Sequence, residues 1–252
     1  MEPGAQFSKE QGCSTATQAM RMRGVPYAEA IGCVLWPVMI TRPDCAFAVG
    51  ILSQFIQNPG IAHWEALKRV IVYLGWTKDL WLTFGGRKPN LVEGFCDADY
   101  ANQRDRHSIS GYSYHFGVGA VSWSSKKQQL VALLTTEAEY IAQAHAAKEA
   151  LWIRTFVGEL RGEMDRPITL HSDNQGAIAL SKDNKFHART KHIDVRYHFI
   201  REAVENGKLS VVYIPTDENP ADIFTKALAK VKFGRFVELL GLRRAIETDK
   251  QS

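Results

Sequence analysis

The sequence predicts an α/β fold in which helices pack against a mixed β-sheet. From residue 93 onward, short runs of alternating apolar residues are typical of strands, whereas residues 135–159 have the longer period of a helix. The order of these patterns is three strands, a helix, a strand, a helix, a strand and a helix. Strands and helices that alternate in this way favour a sheet covered by helices.

The expected strands and helices follow one another from residue 93. The first strand is EGFCDADYA at 93–101, where Phe95, Asp97 and Asp99 share one face because side chains alternate. The runs GYSYHF and VSWSS, joined by GVGA, predict a hairpin. After the long helix at 135–159, the sequence predicts in turn the strand ITLHSDN, the helix HIDVRYHFIREAVE, the strand LSVVYIP and the helix NPADIFTKALAKV.

The region before residue 84 predicts helices instead of strands. Thr41 is a candidate cap, Pro43 suits a first turn, and Asn58-Pro59-Gly60 would end that helix. The run AHWEALKRVIVYLGW then has the apolar spacing of an amphipathic helix, and FGGRKPN at 84–90 predicts a turn or linker. We therefore divide the chain into a disordered or extended lead-in (1–25), a helical segment (26–88), an α/β domain (91–230) and a C-terminal tail (231–252).

Composition limits the classes of protein that need to be considered. The chain has 252 residues, 45% of them hydrophobic, and a formal charge of +4, which permits a nucleic-acid partner without requiring one. Its four cysteines form no C-x-x-C pair, so neither a zinc site nor a disulfide framework is expected, and a reducing intracellular location follows, with a cytoplasmic particle and the nucleus both open. The longest apolar run, 31–40, is too short for a membrane span, and the N-terminus lacks the pattern of a secretory signal.

Four acidic residues each fall near an end of a different predicted element. They are Asp97, Glu139, Asp173 and Asp222. Four carboxylates that meet at one edge of a sheet would repel each other, so a cation must hold them together. Oxygen ligands select Mg²⁺ or Mn²⁺, and two such ions roughly 3.5–4 Å apart can hydrolyse a phosphodiester. The residues thus lead to the hypothesis of a two-metal nuclease.

Neighbouring acids offer alternatives for the first two positions. Asp99 shares the strand face of Asp97 and remains an alternative ligand. Glu137 and Glu139 lie about 200° apart around a helix, so only one of them can face the site. Glu139 shares its face with the small residues at 142, 146 and 150, which would let the helix approach the sheet, while Glu137 suits the first helical turn.

The other two acids also have structural interpretations. Asp173 precedes Asn174-Gln175-Gly176, so taken alone it is more often a helix cap. Asp222 follows Asn219-Pro220 and suits the first turn of a helix.

Basic residues predict a surface that contacts the phosphates of a nucleic acid. Four of them lie between residues 185 and 201, in or just before a predicted helix, and two come directly after the strand VSWSS. They are Lys185, Arg189, Lys191, Arg196, Lys126 and Lys127. Phosphate contacts of this kind come mainly from Lys and Arg. An ordinary solvated face is the alternative for the helix.

Several motifs together resemble one known family. They are FCDADYA, GYSYHFGVGAVSWSSKKQQLVALLTTEAEYIA, EALWIRTF, HSDNQGAIAL, HARTKHIDVRYHFIREAV and YIPTDENPADIFTKAL. In this order and spacing they resemble the ribonuclease H domain of copia-type LTR retrotransposon polyproteins. The stretch from residue 26 to about 74 resembles the end of the reverse transcriptase that precedes that domain.

The resemblance implies a ribonuclease H-like fold with a five-stranded mixed sheet flanked by helices, preceded by a small helical segment. It also implies an endonuclease that hydrolyses the RNA strand of RNA–DNA hybrids with two Mg²⁺ or Mn²⁺ ions. Asp97, Glu139, Asp173 and Asp222 would be both its catalytic residues and its metal ligands. The implied partners are the hybrid and the polymerase portion of the same polyprotein, with no membrane.

Two other functions remain to be compared with this one. No Tyr-x-Asp-Asp polymerase motif occurs in the sequence, so the chain alone is not expected to polymerise. A catalytically inactive module that holds template and primer for a reverse transcriptase would keep the basic helix but would not need the four acids. An integrase-like nuclease would place a Glu last among its acids, whereas here Glu139 comes second.

Overall fold

The structure, a computed structural model, describes residues 1, 3–85, 92–101, 103–162, 164, 166–182 and 191–244, and of residues 161 and 191–197 only the backbone. These residues form two compact units. One comprises Met1–Phe84 with Ala227–Ser252, and the other comprises Gly85–Lys226. The predicted linker at 84–90 lies largely outside the described residues.

The chain passes through the first unit, then through the second, and then returns to the first. The first unit contains α1 (Ala16–Met22), α2 (Tyr27–Ile40), α3 (Ala46–Ser53), α4 (Ile61–Trp76) and β1 (Leu80–Leu82). The second contains β2 (Val92–Asp99), β3 (Ile109–Phe116), β4 (Gly119–Lys127), α5 (Thr135–Arg161), β5 (Ile168–Ser172), α6 (Gln175–Lys182), α7 (Lys191–Glu205) and β6 (Leu209–Tyr213). The chain returns to the first unit with α8 (Lys230–Leu239) and β7 (Leu242–Arg244), which pairs antiparallel with β1.

The second unit has the predicted fold class. Its five strands lie in the order β4-β3-β2-β5-β6, in which β2, β3 and β4 are antiparallel neighbours while β5 runs parallel to both β2 and β6. The sheet is therefore mixed, and helices flank it. The five-stranded ribonuclease H-like arrangement expected from the sequence is confirmed.

Small residues bring the long helix α5 close to the sheet. Ala142, Ala146 and Ala150 are fully buried on α5, as the spacing of that face predicts. Tyr114 of β3 crosses this interface, because its hydroxyl donates to the carbonyl of Ala146 at 2.6 Å. Gly94 of β2 leaves room for the Tyr114 ring, since a Cβ at residue 94 would lie 2.3 Å from it. This packing sets the position of α5 against β2, the strand that carries Asp97.

The first unit has its own core. Four residues of α2 are spaced at three and four positions and are buried: Tyr27, Ile31, Val34 and Val38. They pack with Val49, Leu52 and Leu67 of α3 and α4. A buried ion pair between Arg42 and Asp44, with an N–O distance of 2.7 Å, follows α2.

Three sequence predictions differ from the structure. The lead-in over residues 1–25, predicted to be disordered or extended, contains α1, because Thr15 and Gln18 form a capping box at its start. The last predicted helix is a short 3-10 helix, Pro220–Phe224, and a separate α-helix, α8. Five consecutive residues of that 3-10 helix are buried, so the segment has no exposed face of the kind an amphipathic helix requires. The predicted tail, 231–252, accordingly holds most of α8 and all of β7.

Within the described residues, no helix has both the length and the apolar character needed to cross a bilayer.

Candidate active site

Asp97 lies near the end of the central strand β2 and is almost completely buried, with 2% of its surface exposed. The residues on either side, Cys96 and Ala98, are also buried, and Ala98 packs against α5. The hydroxyl of Thr225, just after the 3-10 helix, donates a short hydrogen bond to Asp97 Oδ2. This bond orients one oxygen of Asp97 and leaves the other for a different partner.

Three of the four predicted acids come together. Oxygen atoms of Asp97, Glu139 and Asp173 all lie within 4.8 Å of one another. Their side chains come from three elements: β2, the second turn of α5, and the residue that follows β5. The packing of α5 and β5 on β2 therefore assembles the cluster, and no short sequence motif could do so.

Asp222 approaches the cluster differently. It is fully buried, and its Oδ1 lies 2.8 Å from the ammonium of Lys226, whose nitrogen is also 3.8 Å from Asp97 Oδ2. Asp222 is not a member of the group of three acids found among the described residues. The fourth acid is thus linked to Asp97 through a lysine that the sequence analysis did not single out.

Burial and mutual repulsion raise the pKa values of the clustered acids. Burial, with Asp222 and Asp173 adding to it, raises the pKa of Asp97 to about 7, although Lys226 and the Thr225 hydroxyl oppose this change. Burial and then the charges of Asp97 and Asp173 also raise the pKa of Glu139 well above its ordinary value. A cation that takes the place of these protons would therefore stabilise the cluster.

The cluster fits a hard divalent cation. Glu139 Oε2 and Asp173 Oδ1 are buried and accept no hydrogen bond from the described residues. The donor set consists only of carboxylate oxygens, which suits Mg²⁺ or Mn²⁺ better than zinc. Buried acceptors of this kind are costly unless a partner satisfies them.

The alternative acids take other positions. Asp99 is partly exposed and lies outside the group of three. Glu137 accepts a hydrogen bond from the backbone N–H of Leu133 at 2.7 Å, in the first turn of α5. Asn174, and not Asp173, caps α6, because its Oδ1 accepts from the N–H of Ala177 at 2.9 Å. These contacts leave Asp173 directed to the cluster.

The predicted nucleic-acid residues are only partly described. Lys126 is exposed on β4, and its neighbour Lys127 forms a short ion pair with Asp105. Lys185 and Arg189 lie outside the described residues. Lys191 and Arg196 belong to α7, but their side chains are not among those described. Phosphate binding by this set stays a prediction.

The second unit combines a ribonuclease H-like fold with an acidic cluster at the end of its central strand. No protein-family model matches the chain. It is 46% identical over 237 residues to the retrovirus-related Pol polyprotein from transposon TNT 1-94 of Nicotiana tabacum, a match that covers 94% of the chain. It is 40% identical over 203 residues, 80% of its length, to the corresponding polyprotein from transposon RE2 of Arabidopsis thaliana.

The chain therefore belongs to the family of copia-type retrotransposon Pol polyproteins and contains their ribonuclease H domain. It spans 18% of the tobacco polyprotein and 14% of the Arabidopsis one. Among solved structures, it is similar to LC11-RNase H1 in complex with RNA/DNA hybrid, with a TM-score of 0.40 and 16% identity over 53% of this chain and 93% of that one.

Proposed function

We propose that the chain is a metal-dependent endonuclease that hydrolyses the RNA strand of RNA–DNA hybrids during retrotransposon reverse transcription. The observation that carries the proposal is the convergence of Asp97, Glu139 and Asp173 from three elements, in which one buried oxygen of Glu139 and one of Asp173 accept no hydrogen bond from the described residues. Membership of the Pol polyprotein family supports the choice of substrate and reaction.

The chain's own residues have distinct tasks in this proposal. Asp97, Glu139 and Asp173 would hold one divalent ion, and Asp97 with Asp222 would hold a second. When bound, the two ions supply an activated water and stabilise the leaving oxygen of the phosphodiester. Thr225 holds Asp97 in place through its hydrogen bond, and Ala98, the next residue of the strand, packs against α5.

The proposed substrate contacts come from the basic residues. Lys126, Lys127, Lys185, Arg189, Lys191 and Arg196 would bind the phosphate backbone. Such contacts position a nucleic acid without reading its sequence. The polymerase portion of the same polyprotein is the proposed protein partner, because the relatives that the chain matches are several times longer.

A cleavage assay with matched acids tests the proposal. The purified chain is incubated with a labelled RNA–DNA hybrid and with duplex RNA in Mg²⁺, Mn²⁺ or EDTA. We expect cleavage of the hybrid RNA only with a divalent ion, and a loss of at least 10²-fold in Asp97→Asn, because that substitution removes an oxygen charge from both ion positions.

Asp99→Asn is the matched control, since it lies on the same strand and outside the cluster. It should retain activity. Hybrid cleavage that persists in EDTA, or that survives Asp97→Asn while Asp99→Asn abolishes it, would contradict the assignment. Binding of the hybrid without cleavage under any ion would instead favour the inactive module that holds template and primer.

A further inference from the structure

Lys226 places a positive charge inside the acidic site. Its ammonium lies 2.8 Å from Asp222 Oδ1 and 3.8 Å from Asp97 Oδ2. Both carboxylates are almost fully buried, whereas 33% of the lysine side chain is exposed. A lysine side chain is ordinarily protonated at neutral pH, so it brings a positive charge to both carboxylates.

Asp97 is shared between two halves of the site. On one side it joins Glu139 and Asp173, neither of which forms an ion pair with a basic side chain among the described residues. On the other side it joins Asp222, where the ammonium of Lys226 already compensates the negative charge. The four acids are thus divided into one half that needs a cation and one half that has one.

The ion pair between Lys226 and Asp222 differs from an exposed ion pair that has the same N–O distance. Lys68 and Glu65 also form a close pair, at 2.8 Å, but both side chains are about half exposed. Exposed pairs contribute little because water screens them. Removal of Lys226 would take away a positive charge that lies beside a fully buried carboxylate, which is unfavourable.

We propose that Lys226 is a built-in counter-cation that occupies the Asp97–Asp222 half of the site when no metal is bound. The first divalent ion then binds at Asp97, Glu139 and Asp173. An ion at Asp97 and Asp222 must displace the ammonium, which can swing outward because part of its side chain reaches solvent. Lys226 is in this way a positioning residue that sets the order and affinity of metal loading, an inference that rests on the proposed metal site.

Counting bound ions tests this without any nucleic acid. Mn²⁺ is titrated into the native chain, Lys226→Met and Lys226→Arg, and free Mn²⁺ is measured by electron paramagnetic resonance. We expect the native chain to bind one ion tightly and the second weakly. In Lys226→Met the second ion should bind roughly tenfold more tightly or better, because a competing charge a few ångströms away is removed. Lys226→Arg keeps the charge and should retain the weak second site.

Thermal unfolding in EDTA supplies a second readout. Lys226→Met should unfold at a temperature several degrees lower than the native chain, since it removes the positive charge beside a buried carboxylate. Excess Mn²⁺ should restore most of the loss. Lys68→Met, which removes an exposed lysine of the first unit, should change neither the unfolding temperature nor the Mn²⁺ titration.

Identical Mn²⁺ titrations for the native chain and Lys226→Met would overturn the proposal, and so would equally tight second sites in Lys226→Met and Lys226→Arg. If Lys226→Met folds only with Mn²⁺, the dependence of its unfolding temperature on Mn²⁺ concentration gives the affinity instead. The outcome is independent of substrate, so a chain that cleaves no hybrid but shows the expected titrations would refute the proposed function and leave this inference standing.

Discussion

A single buried amide, that of Asn219, connects the segment that carries Asp222 to the strand that carries Asp97. Its Nδ2 donates to the carbonyl of Cys96 at 2.9 Å, and its Oδ1 accepts from the N–H of Ala221 at 3.1 Å. Asn219 is therefore more than a helix cap, because the same side chain also satisfies a carbonyl of the central strand.

We expect Asn219→Ala to lower the free energy of unfolding by about 2–3 kcal/mol, because it leaves a buried acceptor and a buried donor without partners. Asn174→Ala is the matched control, since the side chain of Asn174 makes, among the described residues, only a capping bond to the N–H of Ala177, and its loss should cost about 1 kcal/mol. Urea unfolding of the two variants measures the difference. Equal losses would show that the bond to Cys96 adds nothing beyond the cap.

Sequence patterns identified the acids but not their surroundings. Asp97, Glu139 and Asp173 were grouped because each lies near the end of an element, and the structure brings them together. Lys226 lies four residues after Asp222, a spacing that places two side chains on one helical face, so it was open to prediction. The bond from Asn219 to Cys96 was not, because it joins residues far apart in the chain.

Among the elements, the contact of α5 with the sheet depends on Gly94. A methyl group there would lie 2.3 Å from the ring of Tyr114, which is fully buried and tied to Ala146 by its hydroxyl. The ring cannot move aside, so we expect Gly94→Ala to cost about 1–3 kcal/mol through overpacking.

Gly158→Ala provides the control for this prediction. Gly158 lies within α5, and a Cβ there would meet no other atom within 4 Å. Alanine favours a helix over glycine by about 0.5–1 kcal/mol, so this variant should be slightly more stable than the native chain. Thermal or urea unfolding compares the two variants. Gly94→Ala with native stability would mean that Tyr114 can repack.

Elements whose apolar residues recur at a regular spacing were predicted correctly, whereas a segment without such a spacing was not. The alternation in β2 and the spacing of alanines in α5 each point to one buried face, and the structure has both elements. The segment Pro220–Phe224 is buried on every side, so its apolar residues show no period that distinguishes a 3-10 helix from an α-helix. Its conformation also depends on β2, because Asn219, which precedes the segment, donates a hydrogen bond to the carbonyl of Cys96.

The net charge of the whole molecule does not reveal its buried acidic site. The formal charge of +4 is mild, yet the site concentrates three buried carboxyl groups, those of Asp97, Glu139 and Asp222, beside the half-buried Asp173. Asp97, whose pKa burial raises to about 7, binds a proton in the folded state that the unfolded chain releases near pH 4. Its contribution to stability is therefore fully present below about pH 4 and is lost as the pH rises through about 7.

Buried histidines have the opposite effect on the pH dependence of stability. Burial lowers the pKa of His115 to about 4 and also lowers the pKa values of His63 and His171. The unfolded chain therefore binds more protons at these histidines below about pH 6.5, so their contribution to stability rises with pH. Because the acids and the histidines oppose each other, the stability of the metal-free chain alone does not report on the site.

The gain in stability on adding Mg²⁺ separates the two contributions, because the histidines are the same with and without the ion. Below about pH 7 a proton on Asp97 competes with the ion, and Glu139 adds to this competition. We expect the gain to grow by about 1–2 kcal/mol per pH unit between pH 5 and 7 and to level off above, as measured by urea unfolding with saturating Mg²⁺ and with EDTA. Asp97→Asn should abolish most of this growth, whereas Asp99→Asn should keep it. A gain that stays constant from pH 5 to 8 would mean that the ion does not bind at these carboxylates.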